Sequence, residues 1–372
     1  MKLKMILCSL ICMTLLSGCF NYQDIDRAIF STAMIIDVNE DKNVVLYSEV
    51  FHTYRSKENN SETGTRLIFS STGKTLFEAV RNQNKTASNK INFEQNKVII
   101  FTKRAAEYGI DHFIDFLNRD QELLLRQYIL LFEGDPKELI QLTIKQEEYL
   151  GLYIYDLVRN EIVSKFYDIF QVYEYLNNRY IGNSIEVMGI LKIKEEALED
   201  DVSIEGAGIL KDGKMIEKME PEDANIYNGM MGQGTIRLII LPHPTIQGKN
   251  ITLEILDCKI QSSVTYDNDK ITLKKDIKFK VSFGESEYSI DLDDPKILKK
   301  IEKEAEEQTK KRYTEFFEKY KEKGLDIFRI QEMLSRKYPH IEIKDPIEIT
   351  ELKLVVDLDI EGSSDVQELK RE

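Results

Sequence analysis

Two stretches of this 372-residue chain have the outline of a phosphate-binding loop, and each lacks a part the chemistry requires. Gly208 to Lys214 keeps the G-x-x-x-x-G-K spacing, but Met215 stands where a Ser or Thr hydroxyl must reach magnesium. That segment also reads as strand–turn–strand, whereas such a loop joins a strand to a helix. Gly73-Lys74-Thr75 has the right ending, but the first glycine of the motif would fall at Ile68. The four histidines, His52, His112, His243 and His340, are scattered and lack the spacing of a zinc helix. His243, between Pro242 and Pro244, reads as part of a rigid loop. There is no G-x-S-x-G elbow, and Cys258 lies in an alternating strand pattern, so nucleophilic catalysis has no candidate. Carboxylates are abundant and two could face each other in a cleft as an acid/base pair, but abundance singles out no pair. Asn228 to Gly234 is the one glycine-rich loop; it reads first as a plain connection between helix and strand and second as a bend around a ligand or partner, with Met230 and Met231 filling gaps or making adaptable contacts. No catalytic residue, metal ligand set or cofactor site follows.

Cys19 is different. Lys2 and Lys4 give a positive start, and Met5 to Leu16 is nearly unbroken apolar sequence. That is the length of a signal-peptide core and short of the roughly 20 residues of a membrane span. Leu16-Ser17-Gly18-Cys19 resembles the lipobox of bacterial lipoproteins. The motif implies a signal peptide over 1–18, cleavage between Gly18 and Cys19, and S-diacylglycerol and N-acyl groups on Cys19. One chain binds a bilayer marginally, whereas two or more, at about 0.8 kcal/mol per buried CH₂, attach lastingly.

Loss of Lys2 and Lys4 with the signal takes the formal net charge from −14 to −16. Nucleic acid is a poor partner for such a polyanion. An anionic membrane surface also repels it, which makes a covalent lipid the sensible attachment. Cys8 and Cys12 leave with the signal and Cys19 is lipidated, so Cys258 has no disulfide partner and reads as a small buried hydrophobe.

The elements that would surround these residues are short strands and helices at first. Ser31–Val38 and Val44–Tyr54 read as strands around the turn Asn39–Asn43, Lys57–Thr65 as a mobile polar loop, and Thr65–Ser70 as a strand. Thr75 is placed to cap a helix through Phe77 and Val80. Lys97–Phe101 suits a buried strand, Ala105–Asn118 has helical spacing, and Gln127–Phe132 is strand again. Asp135-Pro136 opens a helix in cap-then-N1 order. Tyr149–Val158 and Phe166–Leu176 read as aromatic-rich helices. From Ile185 long alternating β segments dominate, with a hairpin turn at Lys211–Lys214. Asp294-Pro295 starts a Lys/Glu-dense helix ending near Gly324, Asp326–Lys337 is a second helix, and Leu352, Leu354, Val356, Leu358 and Ile360 mark a final strand. The fold class is α+β and multidomain, with mixed or antiparallel sheets flanked by helices. Residues 19–195 read as an N-terminal α+β domain and 196–372 as a C-terminal α+β region. A finer division of the latter gives a small β-rich domain over about 196–245 and a sheet-plus-long-helix domain over about 246–362.

Cys19-Phe-Asn-Tyr-Gln-Asp-Ile-Asp, followed by a strand ending in Ile36-Asp37, resembles the mature start of the Ger(x)C family, the C-subunit lipoproteins of spore germinant receptors. Further matches run in order through Gly73-Lys74-Thr75-Leu76 with Glu78, Ala79 and Arg81, then Asn96–Phe101, Phe116–Asp120 and Gly134-Asp135-Pro136. In the second half they are Gly208-Ile209-Leu210 with Lys214-Met215, the charged helix 296–323, Asp326-Ile327-Phe328, and Arg336–Pro339. The chain departs from the family pattern at Phe20 and after Pro339, where the family has Trp, and at Ala33–Ile36, where it has glycine. The resemblance implies a non-enzymatic lipoprotein on the outer face of the spore inner membrane. There it assembles with A-type and B-type polytopic membrane subunits into a nutrient receptor; nutrient binding by this subunit is not implied. Two other readings remain: a substrate-binding lipoprotein of a transporter, which needs two doubly wound lobes, and an envelope hydrolase using a carboxylate pair.

Overall fold

The computed structural model describes residues 29–55, 62–160, 170–179, 184–194, 200–232, 238–288, 290–292 and 294–363. Ile29–Val38 (β1) and Val44–Arg55 (β2) form an antiparallel hairpin, and Glu62–Gly73 (β3) pairs with β2. In the first turn Lys42 has φ 61°, and the Asn43 N–H donates to the Asn39 side chain at 2.8 Å. Leu76–Thr86 (α1) starts where the Thr75 hydroxyl accepts the Glu78 N–H at 3.2 Å, while the Glu78 carboxylate accepts the Lys74 N–H at 2.7 Å. The Thr75 bond satisfies an orphan donor of the helix start, and the Glu78 carboxylate ties down the residue before the cap. Ile91–Asn92 (β4), Val98–Thr102 (β5), Lys103–Tyr108 (α2), Asp111–Arg119 (α3) and Tyr128–Phe132 (β6) follow. Then come Pro136–Gln141 (α4), Leu150–Arg159 (α5), Phe170–Gln171 (β7), Val172–Arg179 (α6), Ile185–Ile193 (β8), Val202–Lys211 (β9) and Lys214–Met219 (β10).

These strands make one sheet in the order β10-β9-β8-β6-β5-β1-β2-β3, with β4 on β1 and β7 on β6. The middle, β1, β5, β6 and β8, is parallel; both flanks are antiparallel. Helices cover both faces of that middle, which is why β5 and β6 read as continuous apolar runs. Met34, Ile36, Ile99, Phe101 and Leu131 pack under α1, α2, α3 and α6; Ala33, Ile35, Ile100, Leu130 and Phe132 pack under α4 and α5.

Pro221–Met231 (α7) leads to a second sheet of Leu238–Pro242 (β11), Asn250–Asp267 (β12), Lys270–Ser286 (β13) and Thr350–Ser363 (β14), in that spatial order. Between β13 and β14 lie Pro295–Glu322 (α8), Ile330–Lys337 (α9) and a 3₁₀ turn, Pro346–Ile349. β14 runs parallel to β13 as its return strand, whereas the other pairs are antiparallel. Ile271, Leu273, Ile277, Phe279 and Val281 face α8 and α9 in the core. The opposite face is wet, with cross-strand ion pairs Lys270–Glu351, Lys278–Asp357 and Lys280–Glu361.

The two sheets share a core. Val187, Ala207, Ile209 and Met219 of the first sheet pack with α7, Leu253, Phe279 and Phe317 in one cluster. A division at residue 195 falls between β8 and β9, which pair antiparallel, so the first sheet runs on to Met219.

The mixed α+β class stands as expected. Local boundaries differ in several places. The helix read over Ala105–Asn118 is two helices, broken by Gly109 at φ 127°. Glu62–Thr65, read as loop, belongs to β3, while 56–61 lie outside the described residues. Of the helix read over Phe166–Leu176, 166–169 lie outside the described residues, Phe170–Gln171 is a strand, and the described helix runs from Val172. The last helix starts at Ile330 rather than Asp326, because the Asp326 carboxylate folds back to accept the Ile330 and Gln331 N–H groups at 2.9 and 2.8 Å.

Candidate functional site

Buried charge is the first place to look for chemistry, since groups held from water are either catalytic or tied into the frame. β2 carries Glu49 into the interior, where its carboxylate accepts the Thr32 hydroxyl at 2.6 Å and Arg66 Nε at 2.6 Å. It also accepts the Leu150 and Gly151 N–H groups at 2.8 Å each. Arg66 spends its remaining donors on the Leu142 and Ile140 carbonyls at 2.8 and 2.7 Å. The carboxylate thus caps α5, where the helix dipole favours negative charge, and is saturated.

Asp37 ends β1 at the carboxyl edge of the parallel strands, the place where open α/β sheets bind ligands. It accepts the Thr102 hydroxyl at 2.5 Å and is gripped by the Arg104 guanidinium. That hydrogen bond raises the Arg104 pKa, and burial, followed by the Asp37 charge, raises that of Tyr47. Nearby Glu133 bridges Lys103 and Lys218; the Lys218 hydrogen bond lowers its pKa, and Lys218 is raised in return. Each charge there has its counter-charge. Asp111 likewise accepts Tyr175 at 3.1 Å and pairs with Arg179, and burial pushes the Tyr175 hydroxyl far up.

Among the described residues Lys275 is the buried cation without a carboxylate in contact. It lies on the inward side of β13, 2% exposed, and donates to the Met230 carbonyl at 2.8 Å and the Ser262 hydroxyl at 3.1 Å. Burial pushes its pKa down to about 8. The ammonium ties the second sheet to the carbonyl end of α7. Burial also raises Asp326, against the backbone N–H groups of Gln331, Ile330 and Phe328 that hold it.

The segments singled out from the sequence fall elsewhere. Gly208–Lys214 is β9, a turn with Asp212 and Gly213 at φ 50° and 73°, and β10: strand–turn–strand, as read. Gly73 ends β3 against α1, where a Cβ would stand 2.5 Å from the Ala79 nitrogen. His243 Nδ1 accepts the Ile246 N–H at 3.1 Å within its turn. Asn228–Met231 are the last turn of α7, and Gly232, at φ 81°, caps it; the segment read as a loop is helical through Met231 and buried through Met230. Cys258 is half-buried in β12 opposite Phe279. Among the described residues no group of three or more His, Cys, Asp or Glu could hold a metal ion, and no helix is long and apolar enough to cross a membrane. Cys19 and Gly18 lie outside the described residues.

The sequence reading missed Glu49, Asp37 and Lys275. Lys275 had a signal: it occupies an inward position in the alternation Ile271, Leu273, Lys275, Ile277. Glu49 had none, since its partners come from β1, β3 and α5.

Residues 21–192 match the family described as spore germination protein N-terminal domain, and residues 205–367 match the one described as spore germination B3/GerAC like, C-terminal. The spore germination protein GerQC of Bacillus cereus is 21% identical over 266 residues, 71% of this chain and 72% of that protein. Spore germination protein A3 of Bacillus subtilis (strain 168) is 24% identical over 259 residues, which span 64% of either chain, just under two thirds. A crystal structure of the GerBC protein matches with a TM-score of 0.53 at 15% identity, covering 88% of this chain and 96% of that one; this likeness is one of fold.

Proposed function

The chain belongs to the Ger(x)C family of spore germination proteins, and from that premise we propose that it is a lipid-anchored, non-enzymatic subunit of a nutrient germinant receptor. It sits on the outer face of the spore inner membrane and acts through contacts with A-type and B-type membrane subunits. The observation that carries this reading is the family match over both halves of the chain. The saturated state of Glu49, Asp37 and Asp111 supports the non-enzymatic part, since each carboxylate is committed to a frame contact. Attachment rests on Cys19, whose acyl chains would confine the protein to the layer occupied by its partners. Confinement raises effective concentration, so modest interfaces suffice. A transporter's binding protein would need two doubly wound lobes; the second sheet here has helices on one face and water on the other.

The test is Cys19→Ala in spores, scored against a panel of nutrients with a non-nutrient trigger as control. Loss of the response to one nutrient class, with the control intact, is expected. Normal germination with a soluble, unlipidated protein would overturn the reading.

A further inference from the structure

Aromatic rings and unpaired cations gather at the margin where β5 and β6 begin. Tyr155 of α5 has the Lys97 ammonium 5.6 Å from its ring centroid, the Arg159 guanidinium at 5.1 Å and the Tyr128 ring at 5.8 Å. The Tyr128 N–H donates to the Lys97 carbonyl at 3.0 Å, which fixes the two strand starts together. Tyr173, 42% exposed, opens α6 beside them, its N–H on the Leu125 carbonyl at 2.9 Å. Arg126, two residues before Tyr128, is exposed. Among the described residues Lys97, Arg126 and Arg159 form no ion pair with a carboxylate, whereas Lys103, Arg104 and Lys218 at the opposite margin are paired and Lys137 there is not.

β1 begins at this same margin, parallel to β5 and β6. Ten residues lead from Cys19 to Ile29 and reach at most about 35 Å. The ten residues of β1 themselves rise about 33 Å. To lay the opposite margin on a bilayer, the link would have to run fully stretched alongside the strand; the near margin requires no such extension. Tyrosine bodies with polar tips, and cations on aliphatic stems, are the side chains that settle at a lipid–water boundary. Guanidinium and ammonium groups without carboxylate partners are free to meet phosphate. A lipidated chain of formal charge −16 would touch an anionic surface where its cations lack carboxylate partners.

We propose that the margin bearing Lys97, Arg126, Tyr128, Tyr155, Arg159 and Tyr173 rests on the phosphate headgroups of the bilayer and orients the ectodomain. This rests on lipidation of Cys19. The chain has no tryptophan, so one introduced indole reports alone. Full lipidated chain carrying Tyr173→Trp, or Tyr155→Trp as a second reporter, is reconstituted into phosphatidylglycerol/phosphatidylcholine vesicles with brominated acyl chains. Lys137→Trp, in α4 at the opposite margin, is the control. Both reporters are expected to be quenched several-fold more than the control. Adding Arg126→Glu and Arg159→Glu to Tyr173→Trp is expected to lose most of that quenching while the protein still floats with the vesicles. Flotation with reporters and control quenched alike, or none quenched, would overturn the orientation and leave the anchor standing. Failure to float would overturn both.

Discussion

Glu49 accepts the backbone N–H of Leu150 at 2.8 Å across 101 residues of chain, so a strand carboxylate serves as the N-terminal cap of a distant helix. α5 supplies no capping side chain of its own, since Tyr149 occupies the N-cap position without a capping hydrogen bond. Glu49→Ala removes the cap and leaves the Arg66 guanidinium half of a buried pair, so stability is expected to fall by about 3–5 kcal/mol. Chemical denaturation measures it; a loss under about 1 kcal/mol would reduce the contact to an ordinary hydrogen bond.

Gly151 tests the same joint sterically. A Cβ there would stand 2.4 Å from the Thr32 carbonyl carbon and oxygen and 2.9 Å from the Ala33 nitrogen, all backbone atoms. Helix propensity alone favours alanine by about 1 kcal/mol, so the two effects oppose each other. Backbone cannot yield as a side chain can, and Gly151→Ala is expected to destabilise by about 1–3 kcal/mol net. A melting temperature at or above that of the parent would contradict this close approach.

Lys275 fixes a pH dependence. Its folded pKa, about 8, lies below the ordinary lysine value near 10.4, so between these limits the unfolded chain holds more protons than the folded one. Stability therefore rises with pH across that window, by on the order of 3 kcal/mol at about 1.4 kcal/mol per unit. Lys275→Met is expected to abolish the rise in unfolding free energy between about pH 8 and 10. A variant that keeps the same slope would assign the effect to another group.

Tyr153 acts in the opposite sense at higher pH. Its hydroxyl donates to Asp201 at 2.6 Å, and burial first, then that bond, pushes its pKa up to about 12. Above about pH 10 the unfolded tyrosine ionises while the folded one keeps its proton, so stability falls as pH climbs toward the folded value. Tyr153→Phe is expected to shallow that decline, read as the pH of half-unfolding under alkaline titration. An unchanged midpoint would point instead to Tyr175 and Tyr320, both also pushed up by burial.

Much of the fold was legible because it is written locally. Thr75, Asp135-Pro136 and Asp294-Pro295 each cap the helix that follows them, and each cap lies within a few residues of its partner. The inward series Leu352 to Ile360 shows the last strand by its period alone. Asp326 misled because a capping residue usually adjoins its helix, and here Arg329 turns through φ 59° before the first helical residue. Relations between whole elements left less local trace. The β8–β9 pairing across residue 195, the parallel seating of β14 on β13, and the gathering of Lys97, Tyr128 and Tyr155 from three elements are set by tertiary packing. Cys19 is the reverse case: the proposal of its lipidation rests on four residues and on no part of the described fold.

The pairing of Ile271 with Thr350 bears on how the molecule matures. Those residues are 79 apart in sequence, and the intervening chain carries α8 and α9. Ring closure over such a span is entropically slow, so β13 must wait, one side bare, until nearly the whole polypeptide has been delivered. If the chain is exported amino end first, as proposed, it would reach the far side with that seam open. Its vulnerability to degradation or misassociation should thus peak in the interval before the β14 segment is released.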